Sequence, residues 1–377
     1  MRKLLLLFAI LLSTATAYAQ HFLTAENNMM RPEDEIIKQQ VDYKNPGRAG
    51  ANVLWDFSML NLQNDAYRLF YTEDRNNRIR GTEHNTRYYY ELRGDSLFRT
   101  GYENPTTLSV NAQPELLMQF PVHYGDSTFA YYNSNGRYSE RLRISAMGTI
   151  TTKADAHGMM ILPNKDTLKN VLRIHTVKKI AESTERLNQR NRNINVANNV
   201  FVSPDSIDFR LTNDTILLEI ETYQWFVKGY RYPVFETVKS ITNKGGEITD
   251  FFEVAFFYPP QEHHYLEDDL EDLAETEDNY WDENQENNQE NEPIFTYNVY
   301  PNPVRDVLTL EYYTEKPAII TVSLYNMQRS LVYSNKTVCK QGDVHHMQIN
   351  MSPFFMGYYM LVIDTGYGIY DELIFKQ

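Results

Sequence analysis

Cysteine is almost absent: Cys339 is the only one in 377 residues. A lone thiol excludes an intramolecular disulfide, a cysteine-based zinc finger and a C-x-x-C redox pair. In its Val338-Cys339-Lys340 setting it reads as a strand residue rather than a nucleophile. Outside the first twenty residues no apolar run approaches the roughly 20 residues that cross a bilayer, so no transmembrane segment is expected. No Walker loop, no G-x-G-x-x-G and no H-E-x-x-H occurs, and neither a cofactor nor a metal is expected. Basic charge is also short. Lys and Arg number 36 against 50 Asp and Glu, a net charge of -14. That argues against nucleic acid as a partner, because phosphate binding needs clustered cations. With 42% apolar and 23% charged residues the balance is that of a globular chain.

The acid is not spread evenly. Residues 262–292 hold 14 Asp and Glu and no Lys or Arg, so this stretch carries the whole net charge. Like charges at that density repel and cannot bury enough apolar surface to fold alone. Residues 261–293 therefore read as an acidic disordered linker. At the other end, Arg2 and Lys3 precede a nine-residue apolar run, and Ala17-Tyr18-Ala19 is an A-x-A cleavage site. Residues 1–19 read as a signal peptide, cut after Ala19. The chain is then expected to divide into 20–260 and 294–377.

Residues 20–260 read as an antiparallel β-rich domain. Pro32-Glu33-Asp34-Glu35-Ile36-Ile37 has the acidic first turn of a short helix. Hairpins are expected at Gly94-Asp95, Asn213-Asp214, Lys228-Gly229 and Gly245-Gly246, with a meander through 142–153 and 158–162. The segment 186–199 reads as a long polar loop. Aromatics are 13% of the chain, with 28 Tyr. Tyrosine suits a pleated surface, so cross-strand packing is the first explanation and a stacking surface for sugars or peptides the second. Trp55 and Trp225 read as core. The order of Trp55-Asp56-Phe57-Ser58, Phe120-Pro121, Tyr124-Gly125-Asp126-Ser127, Leu162-Pro163, Tyr223-Gln224-Trp225-Phe226 and Arg231-Tyr232-Pro233 is similar to uncharacterised secreted β-rich proteins of Bacteroidetes.

Residues 294–377 offer six strand candidates, at 307–312, 319–324, 330–333, 346–351, 358–364 and 370–375. Before them, Tyr300-Pro301-Asn302-Pro303 is a stiff turn that no central strand tolerates. Short strands at this spacing suit an immunoglobulin-like β-sandwich. The module resembles the type A-like C-terminal sorting domain of type IX secretion cargo from Bacteroidetes. The resemblance rests on Val299-Tyr300-Pro301-Asn302-Pro303, Asp306-Val307-Leu308, Val322-Ser323-Leu324-Tyr325-Asn326, Gly357-Tyr358 and the terminal Leu373-Ile374-Phe375-Lys376-Gln377. Such domains usually carry glycine in the turn after the Leu-Tyr-Asn strand, where this chain has Gln328-Arg329. The resemblance implies an outer-membrane translocon and a sortase-like peptidase as partners, with Tyr300, Pro301, Asn302, Pro303, Gly357, Tyr358 and Lys376 as the sorting motif. The destination is the cell surface or the medium, or the periplasm if the module does not act as an address.

Two catalytic strings appear and neither is persuasive. Gly94-Asp95-Ser96-Leu97 spells a lipase-like motif, and Asp343-Val344-His345-His346 offers a base, but in a separate module. Nucleophilic serine needs its base within hydrogen-bond reach. Asp364-Thr365-Gly366 spells half of an aspartic-protease dyad, and the chemistry needs two. Asp155, His157 and His175 could meet in space. No catalytic residue is assigned. The N-terminal domain reads as a non-catalytic module for an unknown extracellular ligand. The alternative is a hydrolase of glycan or peptide, because two carboxylates brought together by strands leave no motif.

Overall fold

The computed structural model describes residues 22–74, 78–187, 200–260 and 295–377. The polypeptide is mostly β. In chain order the elements are α1 Ala25–Asn28, β1 Glu35–Val41, β2 Gly50–Asp56, β3 Leu62–Asp74, β4 Arg78–Glu83, β5 Thr86–Arg93, β6 Ser96–Glu103 and β7 Thr107–Gln119. There follow β8 Ser127–Tyr138, β9 Leu142–Ile161, β10 Thr167–Arg186, α2 Pro204–Asn213, β11 Ile216–Phe226, β12 Phe235–Lys244 and β13 Glu247–Phe257. The C-terminal part adds β14 Phe295–Tyr300, β15 Val307–Thr314, β16 Ala318–Asn326, β17 Leu331–Cys339, β18 Val344–Asn350, β19 Gly357–Asp364 and β20 Ile369–Lys376.

Twelve strands close on themselves. The order β10-β11-β12-β13-β1-β3-β4-β5-β6-β7-β8-β9 returns to β10, so β9 and β10 complete a ring. All its pairings are antiparallel. Closure removes free edges from these strands. Tight turns set the register. His84 and Asn85 join β4 to β5 with φ of 43° and 61°, and Gly245 and Gly246 join β12 to β13 with φ of 63° and 94°. Two positive φ values in a two-residue turn match the twist of the flanking strands.

Strand β9 is the branch point. Its 142–153 half pairs with β8, and along 156–161 that edge is taken by β2, which runs parallel to it. The other edge of β2 receives β14, also parallel, with Val53 opposite Tyr297. β15 and β18 extend this layer. Against it lies a separate sheet in the order β17-β16-β19-β20. The two layers share one core, with Leu308, Leu310 and Ile349 from the first and Ile320, Val322, Leu324, Leu361 and Ile363 from the second. Burial of these aliphatic side chains, each worth roughly 1.5–3 kcal/mol, holds the layers together without a disulfide. Cys339 is buried at the end of β17, with Sγ 3.5 Å from the Tyr312 hydroxyl.

Several local expectations change. Residues 32–37 are not helical: Glu33 has φ of 73°, and Ile36, Lys38 and Val41 are buried along β1, paired to β3 and β13. Residues 207–211 are helix rather than strand. Ser203 caps α2 by accepting from the Ser206 amide, Pro204 opens it, and Arg210 closes it with a bidentate contact to Asp214. Those are ordinary helix-end signals. Asn213-Asp214 is therefore a helix terminus. Around Lys228-Gly229 the connection is an eight-residue loop, 227–234, whose Val227, Tyr230, Tyr232 and Val234 are buried. The expected meander is the single strand β9. The turns at Gly94-Asp95 and Gly245-Gly246 stand, as do the six C-terminal strands and the burial of Trp55 and Trp225. Ala17, Ala19, most of the 186–199 loop and the acidic tract lie outside the described residues.

Candidate functional site

The seven residues singled out in the C-terminal part gather at one end of its two layers. The Tyr300-Pro301 and Asn302-Pro303 bonds are cis. The turn they make is tied to the final strand. The Asn302 side chain donates Nδ2 to the Leu373 carbonyl at 2.8 Å and accepts from the Phe375 amide at 2.9 Å. The Val304 amide donates to the Phe375 carbonyl at 2.8 Å and the Gln377 amide to the Val304 carbonyl at 2.9 Å. Gly357 and Tyr358 stand opposite Lys376 and Phe375 in the β19–β20 ladder, and the Tyr358 and Phe375 rings lie 4.9 Å apart. The Lys376 ammonium donates to the Gln377 carbonyl. Asn302 thus uses both faces of its amide to hold the last strand, which no shorter or apolar side chain could do.

The same part is seated on the ring through the segment 42–56. Arg173, 1% exposed, grips that segment from below. Its Nε and Nη2 each meet Asp155 at 2.8 Å, and its guanidinium also donates to the Pro46 and Arg48 carbonyls. The Trp55 indole adds a second donor to the Pro46 carbonyl at 3.0 Å. From above, the Arg48 amide donates to Asn298 Oδ1 at 3.0 Å, and the guanidinium lies 3.8 Å over the Tyr297 ring. Lys44 meets the buried Glu311 at 2.8 Å, and Tyr300 donates its hydroxyl to the same carboxylate. Gly47, at φ of 74°, is needed because a Cβ there would collide with the Asn298 amide. His346 lies 3.3 Å from Glu311 and 3.5 Å from Asp56.

Inside the ring, charged side chains face one another. Lys178 of β10 and Glu115 of β7 meet at 2.9 Å although β9 and β8 separate their strands, which only the concave side of a closed sheet permits. Arg99 of β6 binds the second oxygen of Glu115 at 2.5 Å. Burial pushes Glu115 up, but Arg99 and Lys178 together bring it down to about 2. Lys178 falls to about 8, because burial and the neighbouring Arg99 outweigh its attraction to Glu115. The two shifts differ because the acid faces two cations whereas the lysine faces one acid and one cation. A second cluster places Lys38 at 2.8 Å from Glu83 and 3.9 Å from Glu236. Burial, reinforced by Glu83, raises the Glu236 carboxyl. Tyr88 lies between the clusters, near enough to feel Arg99, Glu83 and Lys38.

The catalytic strings come apart. Ser96 opens β6 opposite Arg93 and Gln119, beside the hairpin turn, whereas His345 and His346 are on β18. Asp364-Thr365-Gly366 begins the turn between β19 and β20, with Gly366 at φ of 77°. His175 does approach Asp155, at 3.8 Å, but its ring is stacked 4.2 Å on Tyr223 and its Nε2 is engaged by Glu221 at 2.8 Å. His157 turns to Tyr124 instead. Among the described residues no group of His, Cys, Asp and Glu is arranged to hold a metal ion, and no helix is long and apolar enough to cross a membrane. The interior charges carried no sequence signal beyond isolated charges within β patterns, since their meeting depends on ring closure.

Residues 298–376 match the family described as the secretion system C-terminal sorting domain. No curated protein matches the chain. Among solved structures, dimeric latent PorU from Porphyromonas gingivalis is similar at 10% identity and a TM-score of 0.20, over 92% of this chain and 34% of that one. The chain thus spans about a third of that protein's length. A sorting domain implies handling by secretion machinery and export to the cell surface or beyond.

Proposed function

We propose that the protein is type IX secretion cargo from a Bacteroidetes bacterium. Residues 1–19 serve as its signal peptide, 20–260 as cargo, 261–293 as a linker and 294–377 as an immunoglobulin-like address. An outer-membrane translocon reads the address, and a sortase-like peptidase acts before the cargo reaches the surface or medium. The family match over 298–376 carries this reading. The convergence of Tyr300, Pro301, Asn302, Pro303, Gly357, Tyr358 and Lys376 around the terminal strand supports it, since a recognition element needs its residues on one surface. The test compares the full chain with one truncated at Asn291 in the native host, by surface protease accessibility and mass spectrometry. The full chain is expected outside the outer membrane and the truncated one in the periplasm. The same compartment for both overturns the reading.

The cargo ring is, in this proposal, a non-catalytic binding module. Hydrolysis by paired carboxylates needs one acid and one base free to act. Here Glu115 is held by two cations, Asp155 by Arg173, and Glu83 by Lys38. Binding needs polar groups facing inward, and the Arg99, Glu115 and Lys178 cluster supports that reading.

A further inference from the structure

We propose that Asn302 is the positioning residue of the address. It holds the terminal strand so that Tyr358, Leu373 and Phe375, with Phe355 and Met356 beside them, present one apolar surface to a protein of the secretion machinery. This rests on the reading of 294–377 as an address and names the surface that is read. β20 is the last strand of its sheet, so only one of its sides has a neighbouring strand, β19. The segment 302–304 takes the other side. Val304 bridges to Lys376 in parallel, donating to the Phe375 carbonyl and accepting from the Gln377 amide. Two residues earlier the Asn302 side chain repeats that pattern, with the Leu373 carbonyl at 2.8 Å and the Phe375 amide at 2.9 Å. A side-chain amide thus takes the place of a strand residue and pairs an edge that would otherwise be open. Asn302 and both flanking prolines are exposed. Bonds traded with water at an exposed edge add little to global stability. Their effect is local, because the last residues of a chain fray unless they are tied down.

What Asn302 holds in place is a surface. Side chains alternate along strands, and Tyr359, Leu361 and Ile374 point into the core. Tyr358 and Met360 therefore lie on the other side of the sheet, opposite Phe375 and Leu373. Tyr325 of β16 continues the row beside Met360. Just before β19, Phe355 and Met356 are 88% and 76% exposed. A sheet face in water normally alternates to polar residues, and a contiguous apolar patch marks a contact site. The charges on this side of β19 and β20 are Asp364 and Asp371, both beyond the apolar rows. An anionic membrane would need Lys and Arg there, so an apolar protein surface is the partner that fits. The match to a sorting family over 298–376 points to secretion machinery as its source.

The test uses the full chain in the native host, with the chain truncated at Asn291 alongside, and reads export by surface protease accessibility. Amide hydrogen exchange of 373–377 and the unfolding midpoint are measured on the purified proteins. Asn302→Ala is expected to speed exchange at Phe375 by about tenfold, to lower the midpoint by less than about 5 °C and to cut export by at least about fivefold. Thr365 makes comparable side-chain bonds in the β19–β20 turn, at the opposite end of the sheet. Thr365→Ala is expected to lower the midpoint at least as much and to be exported normally. Phe355→Ser with Met356→Ser is expected to cut export as Asn302→Ala does, with exchange at Phe375 unchanged. Val338→Ser, at an exposed site far from the patch, is expected to be exported normally. Normal export of Asn302→Ala while the truncated chain is retained overturns this inference and leaves the address standing. Equal export losses in Thr365→Ala would show export following stability alone, and overturn it as well. Normal export of the Phe355→Ser, Met356→Ser chain overturns the apolar surface. Sedimentation of the full chain as a dimer that the same double substitution dissolves assigns the patch to a second copy instead. Export of the truncated chain overturns the address itself, and this inference with it.

Discussion

At the residue scale, Arg173 and Glu115 show how buried charge is tolerated. Arg173 spends its donors on Asp155 and on backbone carbonyls of the 46–48 segment, so nothing in its fork is idle. Arg173→Met would leave Asp155 buried without its partner and two carbonyls short of a donor. The expected cost is about 3–5 kcal/mol in denaturant unfolding. A loss below 1 kcal/mol would show that the segment is held by Trp55 and the C-terminal contacts instead. Glu115 makes a pH argument. Its folded pKa of about 2 is below the unfolded value near 4.5, so the unfolded chain binds the extra proton between them. The stabilisation is therefore complete above about pH 4.5 and lost as pH falls toward 2, amounting to some 3 kcal/mol at most. Glu115→Gln is expected to flatten that part of the stability–pH curve. Lys178, lowered to about 8, acts in the opposite range, where stability rises as pH climbs from about 8 toward 10.5.

At the scale of the element, turn chemistry and period explain what could be read beforehand and what could not. The C-terminal strands and the Gly94-Asp95 and Gly245-Gly246 hairpins were legible because alternation and left-handed turn residues are local signals. The resemblance of the C-terminal part to a sorting domain was legible from short motifs in order, and the family match covers residues 298–376. Helix α2 was misread because its apolar residues fit a short strand as well as a helix, although Ser203-Pro204-Asp205 carried the cap. Residues 32–37 failed the other way: acidic helix-start residues were overridden by pairing of β1 with β3 and β13. The turn after β16 holds a testable oddity. Arg329 sits at φ of 61°, in the left-handed region that favours glycine. A non-glycine residue there costs roughly 1–2 kcal/mol, of which glycine returns part through a more flexible unfolded chain. Arg329→Gly is expected to leave stability unchanged or raise it by up to about 1 kcal/mol by thermal unfolding. A clear drop would mean that the Arg329 side chain itself contributes.

At the scale of the whole molecule, the decisive facts were non-local. No local pattern announces that β9 returns to β10, and so none announces that Arg99, Glu115 and Lys178 meet inside. The same holds for the seat of the C-terminal part on the ring. Lys44, Arg48 and Gly47 look like ordinary loop residues, yet they face Glu311, Tyr297 and Asn298 from the far end of the sequence. This arrangement makes the two parts a docked pair, and its strength can be argued. The exposed Lys169–Glu315 contact at 3.9 Å contributes little. Glu311 is different: it is 2% exposed, and undocking would remove the ammonium of Lys44 from it. Truncating one partner of such a pair costs on the order of 2–5 kcal/mol. The covalent connection between the parts supplies a local concentration on the order of mM, enough to hold even a weak contact. Cutting it removes that help and reads the contact alone. With a site-specific protease sequence inserted within 261–293, the two pieces are expected to co-elute in gel filtration after cleavage at about 10 μM, and Lys44→Met with Arg48→Met to separate them. Dissociation of the unsubstituted pieces on cleavage would mean that the tether, and not the 42–56 segment, keeps the C-terminal part against the ring.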